Sequence, residues 1–273
     1  KLILRDEDLK VIGDDKNIKI FLDSWSMIEN HYSKFGSLSD IVLKSIIDKK
    51  YHLEKTKFFK DNVLIYGNKG RIIRSRSLNQ FNMVNAIEKD DLLFAVGPAG
   101  SGKTYTAVAL AVKALKEKRV RKIILTRPAV EAGENLGFLP GDLKEKLDPY
   151  LQPLYDALRD MIPNSKLTEY LEDKVIQIAP LGFMRGRTLD NAFVILDEAQ
   201  NTTEAQLKMF LTRMGKSAKF IVTGDITQVD LPKQQKSGLK SALNLFKDQK
   251  DISIVNLNED DVVRHPLVKK IIK

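Results

Sequence analysis

Residues Gly97-Pro98-Ala99-Gly100-Ser101-Gly102-Lys103-Thr104 fit the pattern G-x-x-x-x-G-K-[ST], a spacing suited to gripping a chain of phosphates. Glycines let the backbone close around phosphate oxygens, and the amide N–H groups of residues 100–104 are expected to point inward at them. A helix starting at Lys103 adds the positive end of its dipole. The Lys103 ammonium is then expected to bridge β- and γ-phosphates, and the Thr104 hydroxyl to ligate Mg²⁺. Gly97, Pro98, Ala99, Gly100, Ser101, Gly102, Lys103, Thr104 and Tyr105 are the candidate nucleotide contacts. At average residue usage the pattern arises by accident at roughly 4 in 100,000 positions, so a chain of 273 residues seldom carries it by chance.

Ninety-four residues beyond Lys103, the apolar run Phe193-Val194-Ile195-Leu196 ends in Asp197-Glu198-Ala199-Gln200. A strand ending in a carboxylate is the expected second half of such a site, with Asp197 holding Mg²⁺ partly through water. Glu198 is more telling, because a second carboxylate beside the metal-bound one can accept a proton from attacking water. A phosphoryl-transferring kinase shares the loop and does not need that glutamate. The plainer reading is that Asp-Glu only opens the next helix, where acids suit the dipole. Downstream, Thr223-Gly224-Asp225-Ile226-Thr227-Gln228 follows another apolar run, and Gln228 has the donors and acceptor to sense or position water. An ordinary Gly-Asp turn is the alternative. Thr126-Arg127-Pro128 ends a third run and directs Arg127 toward phosphate, of a nucleotide or of a nucleic-acid backbone.

These residues need a frame. After Asp91 the chain alternates apolar runs with helical stretches: Leu92–Val96, a helix from Lys103 to about Lys116, Ile123–Leu125, Val175–Ala179, Phe193–Leu196 and Phe220–Val222, with helices over 203–213 and 237–247. This rhythm predicts an α/β fold, a parallel sheet sandwiched by helices. Residues 147–155, with Tyr150 and Tyr155, read as a helical insertion. Asn62 to Ile73 reads as two strands around an Asn/Gly turn. Residues 1–60 form a separate small α/β region, with strand-like pieces at 2–4 and 9–13, a helix from about Ile18 to Tyr32, and a second helical stretch after Ser39. The expected division is therefore 1–60 and 61–273.

Composition removes other classes. There is no cysteine, which excludes disulfide scaffolds, thiolate metal sites and thiol catalysis. His31, His52 and His265 stand far apart, against a histidine-rich metal site. No apolar run reaches the roughly 18 residues of a membrane span, and no secretory leader opens the sequence; a cytoplasmic location is the expectation. The chain begins at Lys1, so its natural start is expected upstream. A net charge of +9 fits a phosphate-bearing partner and equally serves solubility.

Together, Gly97 to Thr104, the Asp197–Gln200 box and Gly224-Asp225-x-x-Gln228 resemble the motor motifs of superfamily 1 helicases. Leu125 to Glu134, Gly137 to Leu143, Met184 to Thr188 and Asp261 to Pro266 resemble the PhoH-like ATPase family more closely. The resemblance runs from about residue 62 to the end. It implies a RecA-like P-loop ATPase that uses ATP and Mg²⁺, linked to RNA metabolism as an RNA-helicase-like enzyme. It further implies single-stranded RNA and a metal-dependent endoribonuclease of ribosomal RNA maturation as partners. A partial KH-like RNA-binding module within 1–60 is a weaker implication, since no G-x-x-G clamp loop stands there. By the helicase pattern, Gln80, seventeen residues before Gly97, would bind adenine; the alternative is an ordinary exposed glutamine. Arg264 is a candidate for stabilising transition-state charge, with Arg185 and Arg187 competing for that role or for RNA backbone. A superfamily 1 motor closes two RecA-like domains over ATP, and this chain has room for one. A homo-oligomeric ring, expected to be a hexamer with an arginine supplied by a neighbour, would complete the cleft. The other functional reading is a nucleotide-gated adaptor that recruits a nuclease and hydrolyses ATP slowly.

Overall fold

A computed structural model describes residues 2–5, 8–35, 38, 43, 46–47, 62–128, 143–232 and 234–262 of the chain. The chain divides into two compact units, Lys1–Asp61 and Asn62–Lys273. In the first, β1 (Leu2–Arg5) and β2 (Asp8–Val11) pair antiparallel, and α1 (Asp15–Phe35) follows. Asp14 caps that helix by accepting from the Asn17 amide at 2.9 Å. The second helical stretch expected after Ser39 lies largely outside the described residues.

The second unit opens with the expected hairpin, β3 (Val63–Tyr66) and β4 (Ile72–Arg74). Next comes α2 (Leu78–Lys89), started by Ser77, whose hydroxyl accepts from the Gln80 amide. Then follow β5 (Leu92–Val96), α3 (Lys103–Lys116), β6 (Lys122–Arg127), α4 (Leu143–Met161), α5 (Asn164–Glu172), β7 (Ile176–Pro180), β8 (Ala192–Leu196), α6 (Glu204–Leu211), β9 (Lys219–Gly224), α7 (Gly238–Phe246) and β10 (Ile252–Asn256). Six of these strands form one all-parallel sheet in the order β10-β5-β9-β8-β6-β7.

Side chains alternate across this sheet, as a strand's period of two requires. Leu93, Ala95, Ile123, Leu125, Phe193, Ile195 and Ile221 enter one core with α2, α3, α4 and the hairpin. Leu92, Phe94, Val96, Ile124, Val194, Leu196, Phe220 and Val222 enter the other with α6 and α7. Both faces are therefore covered, which is why these strands read as unbroken apolar runs. Phe220 and Phe210 meet there with ring centroids 5.0 Å apart; burying each such side chain contributes about 1.5–3 kcal/mol. Helix α3 is buried on most of its circumference, so its sequence is alanine-rich. Lys116, at its end, donates to the carbonyls of Tyr66 and Met161, tying the hairpin and α4 to α3; burial lowers its pKa.

The sheet order puts β9 between β5, which leads into the phosphate loop, and β8, which leads into the acidic box. From β5 the chain crosses toward β6, whereas from β9 it returns past β5 to β10. The direction of winding reverses there, opening a crevice at the strands' carboxyl ends, where such folds bind ligands.

Candidate nucleotide-binding site

The loop after β5 is anchored at both sides. The Gly97 amide donates to the carbonyl of Gly224 on β9 at 3.1 Å, and the Leu257 amide donates to that of Val96 at 2.7 Å. A side chain at Gly97 would strike the Leu257 carbonyl, with its Cβ 2.5 Å from the oxygen. Gly102 caps α3 in the left-handed region, at φ 79°, a conformation that costs other residues roughly 1–2 kcal/mol. The first amides of α3 have no acceptor within their own helix, and this is the donor array a phosphate needs. Lys103, 8% exposed, lays its ammonium on the carbonyls of Gly97 (2.6 Å) and Pro98 (2.8 Å).

Asp197 leaves the end of β8 with its side chain 2% exposed. Its Oδ1 accepts from the Thr104 hydroxyl at 2.6 Å and from the Thr223 hydroxyl at 2.5 Å. Its Oδ2 accepts from Nε and Nη2 of Arg127 at 2.8 and 2.5 Å. Thr104 and Asp197, 93 positions apart, thus meet directly. Both offer oxygen, the donor a hard cation such as Mg²⁺ prefers, and one carboxylate with one hydroxyl leaves coordination for water and phosphate. Among the described residues no cluster of three or more His, Asp or Glu could hold a metal alone.

Glu198 adopts a left-handed conformation, φ 56°, which a non-glycine residue occupies at a cost of order 1–3 kcal/mol. Its Oε2 accepts from the Gln200 amide at 2.6 Å, and Gln200 Oε1 accepts from the Asp225 backbone amide at 3.0 Å. Asp225 Oδ2 in turn accepts from the Ala99 amide at 3.2 Å. A chain of hydrogen bonds therefore joins the acidic box, the end of β9 and the phosphate loop.

Several of the expected site residues make contacts within the protein. Gln80 is 3% exposed, and its amide is spent on the protein: Nε2 donates to the Ser101 carbonyl at 2.8 Å and Oε1 accepts from the Arg76 amide at 2.7 Å. It is not an ordinary exposed glutamine. Tyr105 turns its hydroxyl to Asp160 on α4 at 3.1 Å, and burial raises its pKa, with the Asp160 charge adding to the shift. Gln228 is exposed on the turn after β9, while Thr223 and Asp225 of the same segment make the site contacts. Arg127 pairs with Asp197. Arg187 donates to Gln177 on β7 at 2.7 Å, and Arg185 is exposed just after that strand. Four strand spacings of about 4.8 Å separate β7 from β5, roughly 19 Å. That segment is thus far along the sheet from the phosphate loop of its own chain. Arg264 and the strings 129–134 and 137–142 lie outside the described residues.

Thr223 and Gln200 went unread as site residues because neither belongs to the loop pattern or the carboxylate pair. For Gln200 the signal available was its place in the Asp197–Gln200 box, and for Thr223 it was position at the carboxyl end of an apolar run.

The sheet order, the glycine loop between β5 and α3, and the acidic box at the end of β8 define a RecA-like P-loop NTPase. Residues 72–273 match the family model described as PhoH-like protein, and the chain belongs to that family. It is 50% identical to a PhoH-like protein of Bacillus subtilis, over 100% of this chain and 86% of that one. It is 47% identical to a PhoH-like protein of Synechocystis, over 100% of this chain and 84% of the relative. Protein PhoH of Escherichia coli is 48% identical across 72% of this chain and 56% of its own length. Among solved structures, the UvsW helicase of bacteriophage T4 aligns over 93% of this chain and 81% of its own, at 13% identity and a TM-score of 0.42. No helix of the described residues is long and apolar enough to cross a membrane.

Proposed function

We propose that this chain is a Mg²⁺-dependent ATPase that couples hydrolysis to remodelling of RNA or ribonucleoprotein. The observation that carries the hydrolytic part is that two hydrogen-bond networks, Asp197 with Thr104 and Glu198 through Gln200 and Asp225 to Ala99, both end on the loop that carries Lys103. Lys103 leaves the loop carbonyls for the β- and γ-phosphate oxygens. Thr104 and Asp197 hold Mg²⁺, which when bound offsets phosphate charge. Glu198 accepts the proton of the attacking water, and Gln200 sets the direction of its carboxylate.

Single-stranded RNA as partner is supported by the charge of +9 and by the motif resemblance. A homo-oligomeric ring is supported by the place of Arg185 and Arg187, far along the sheet from the phosphate loop of their own chain. In such a ring, a hexamer by this reading, an arginine of the neighbouring subunit reaches the γ-phosphate.

Steady-state ATP hydrolysis with and without single-stranded RNA tests this reading, with Glu198→Gln as control. Stimulation by RNA that disappears in the variant supports it. Slow turnover indifferent to RNA instead supports a nucleotide-gated adaptor that recruits an endoribonuclease. Full activity of a monomer under dilution would sink the ring.

A further inference from the structure

Three nitrogens of one guanidinium join two elements of the fold. Nε and Nη2 of Arg127 donate to Asp197 Oδ2, and Nη1 donates to the backbone carbonyl of Tyr150 on α4 at 2.6 Å. The placement follows from register. Strands β6 and β8 are neighbours with Thr126 opposite Leu196, and the Asp197 amide donates to the Thr126 carbonyl at 2.9 Å. Arg127 and Asp197 therefore leave adjacent strands side by side. The pair is well shielded, with side-chain exposures of 15% and 2%.

A carboxylate this buried needs a cation, and Arg127 supplies a permanent one, since a guanidinium keeps its proton at any working pH. Mg²⁺ at the same carboxylate would put a divalent charge within a few ångströms of that guanidinium, and the repulsion is strong in so dry a place. Arriving phosphates resolve the conflict, because they bring the negative charge with which a displaced guanidinium pairs well.

We infer that Arg127 is the resident counter-cation of Asp197 and competes with Mg²⁺ for it. Uptake of metal with nucleotide then releases the Arg127 tie to Tyr150, and α4 reports what the phosphate loop holds. This rests on the Mg²⁺–nucleotide reading proposed above. A permanent orienting ion pair makes the opposite prediction, since removing the arginine would then weaken the metal site.

The test titrates Mg²⁺ against binding of a fluorescent ATP analogue to the full chain, for wild type, Arg127→Gln and Arg127→Lys, with Lys103→Ala as the binding-dead control. Competition predicts that Arg127→Gln reaches half-maximal Mg²⁺-dependent binding at a Mg²⁺ concentration lower by roughly tenfold, the scale on which partners of a metal ligand act. Arg127→Lys, a point charge that cannot span both acceptors, falls between. Hydrogen exchange around Tyr150 speeds up in wild type when Mg²⁺ and analogue bind; in Arg127→Gln it is fast from the start and indifferent to them. An unchanged or raised Mg²⁺ requirement in a folded Arg127→Gln overturns the inference and leaves the nucleotide site standing. Should Arg127→Gln not fold, the same shift in Arg127→Lys decides. Wild type that binds no analogue, like Lys103→Ala, overturns both readings together.

Discussion

The hydroxyl of Thr223 lies 2.5 Å from Oδ1 of Asp197, the same oxygen that accepts from Thr104 of the phosphate loop. A residue of β9 thus helps to aim a carboxylate of β8 at a loop that begins on β5. Thr223→Val keeps the shape and removes the donor. We expect the Mg²⁺ needed for half-maximal hydrolysis to rise about tenfold, as for other partners of metal ligands, with Thr223→Ser close to wild type. Activity indifferent to Val at every Mg²⁺ concentration would show that Thr223 only fills space.

Gln200 is 1% exposed and holds Glu198 with one end of its amide and the Asp225 amide with the other. Gln200→Ala should lower kcat by ten- to a hundredfold, a share of what a general base contributes, about 10²–10⁴. The KM for ATP should move less than about twofold, because uniform binding is untouched. A rise in KM at constant kcat would assign Gln200 to binding instead.

An alanine Cβ at Gly102 would lie 2.6 Å from the Gln80 amide nitrogen, in a backbone conformation that disfavours it. We expect Gly102→Ala to lower stability by about 1–3 kcal/mol and to abolish nucleotide binding. Adding Gln80→Ala relieves the clash and leaves the φ cost, so the two effects will not add. Denaturant unfolding of the four-member cycle measures the coupling.

Gln80 alone separates two roles. As a brace under Ser101, its loss in Gln80→Ala weakens ATP and GTP binding alike. Selective loss of ATP would restore the role of adenine contact.

Tyr105 gives a pH signature. Its folded pKa is raised above the ordinary 10.0 by burial and then by Asp160. The protonated phenol is the form the fold favours, so this contribution is complete below the unfolded value and is lost as pH rises through the higher folded one. Tyr105→Phe should therefore flatten the fall in unfolding midpoint as pH rises above about 10. An equally steep fall in the variant would remove Tyr105 as its source.

Local patterns in the sequence determined a great deal here. The glycine loop, the carboxylates at 197 and 198, the helix from Lys103 to Lys116 and the hairpin after Asn62 all follow from short-range rules, because turn chemistry and buried parallel strands leave local marks. Strand β10 was not among the expected runs: Ile252-Ser253-Ile254-Val255-Asn256 is short and interrupted by polar residues, and its place beside β5 fixes it as a strand. Strand order was equally hidden, since pairing joins residues such as Leu93 and Ile221 that lie more than a hundred positions apart. Only that order brings Thr223 and Arg127 to Asp197. Residue types and spacing set the chemistry available to this chain. Which side chains share a carboxylate was decided by packing, because hydrogen bonds between strands depend on three-dimensional adjacency and carry no signature in local sequence.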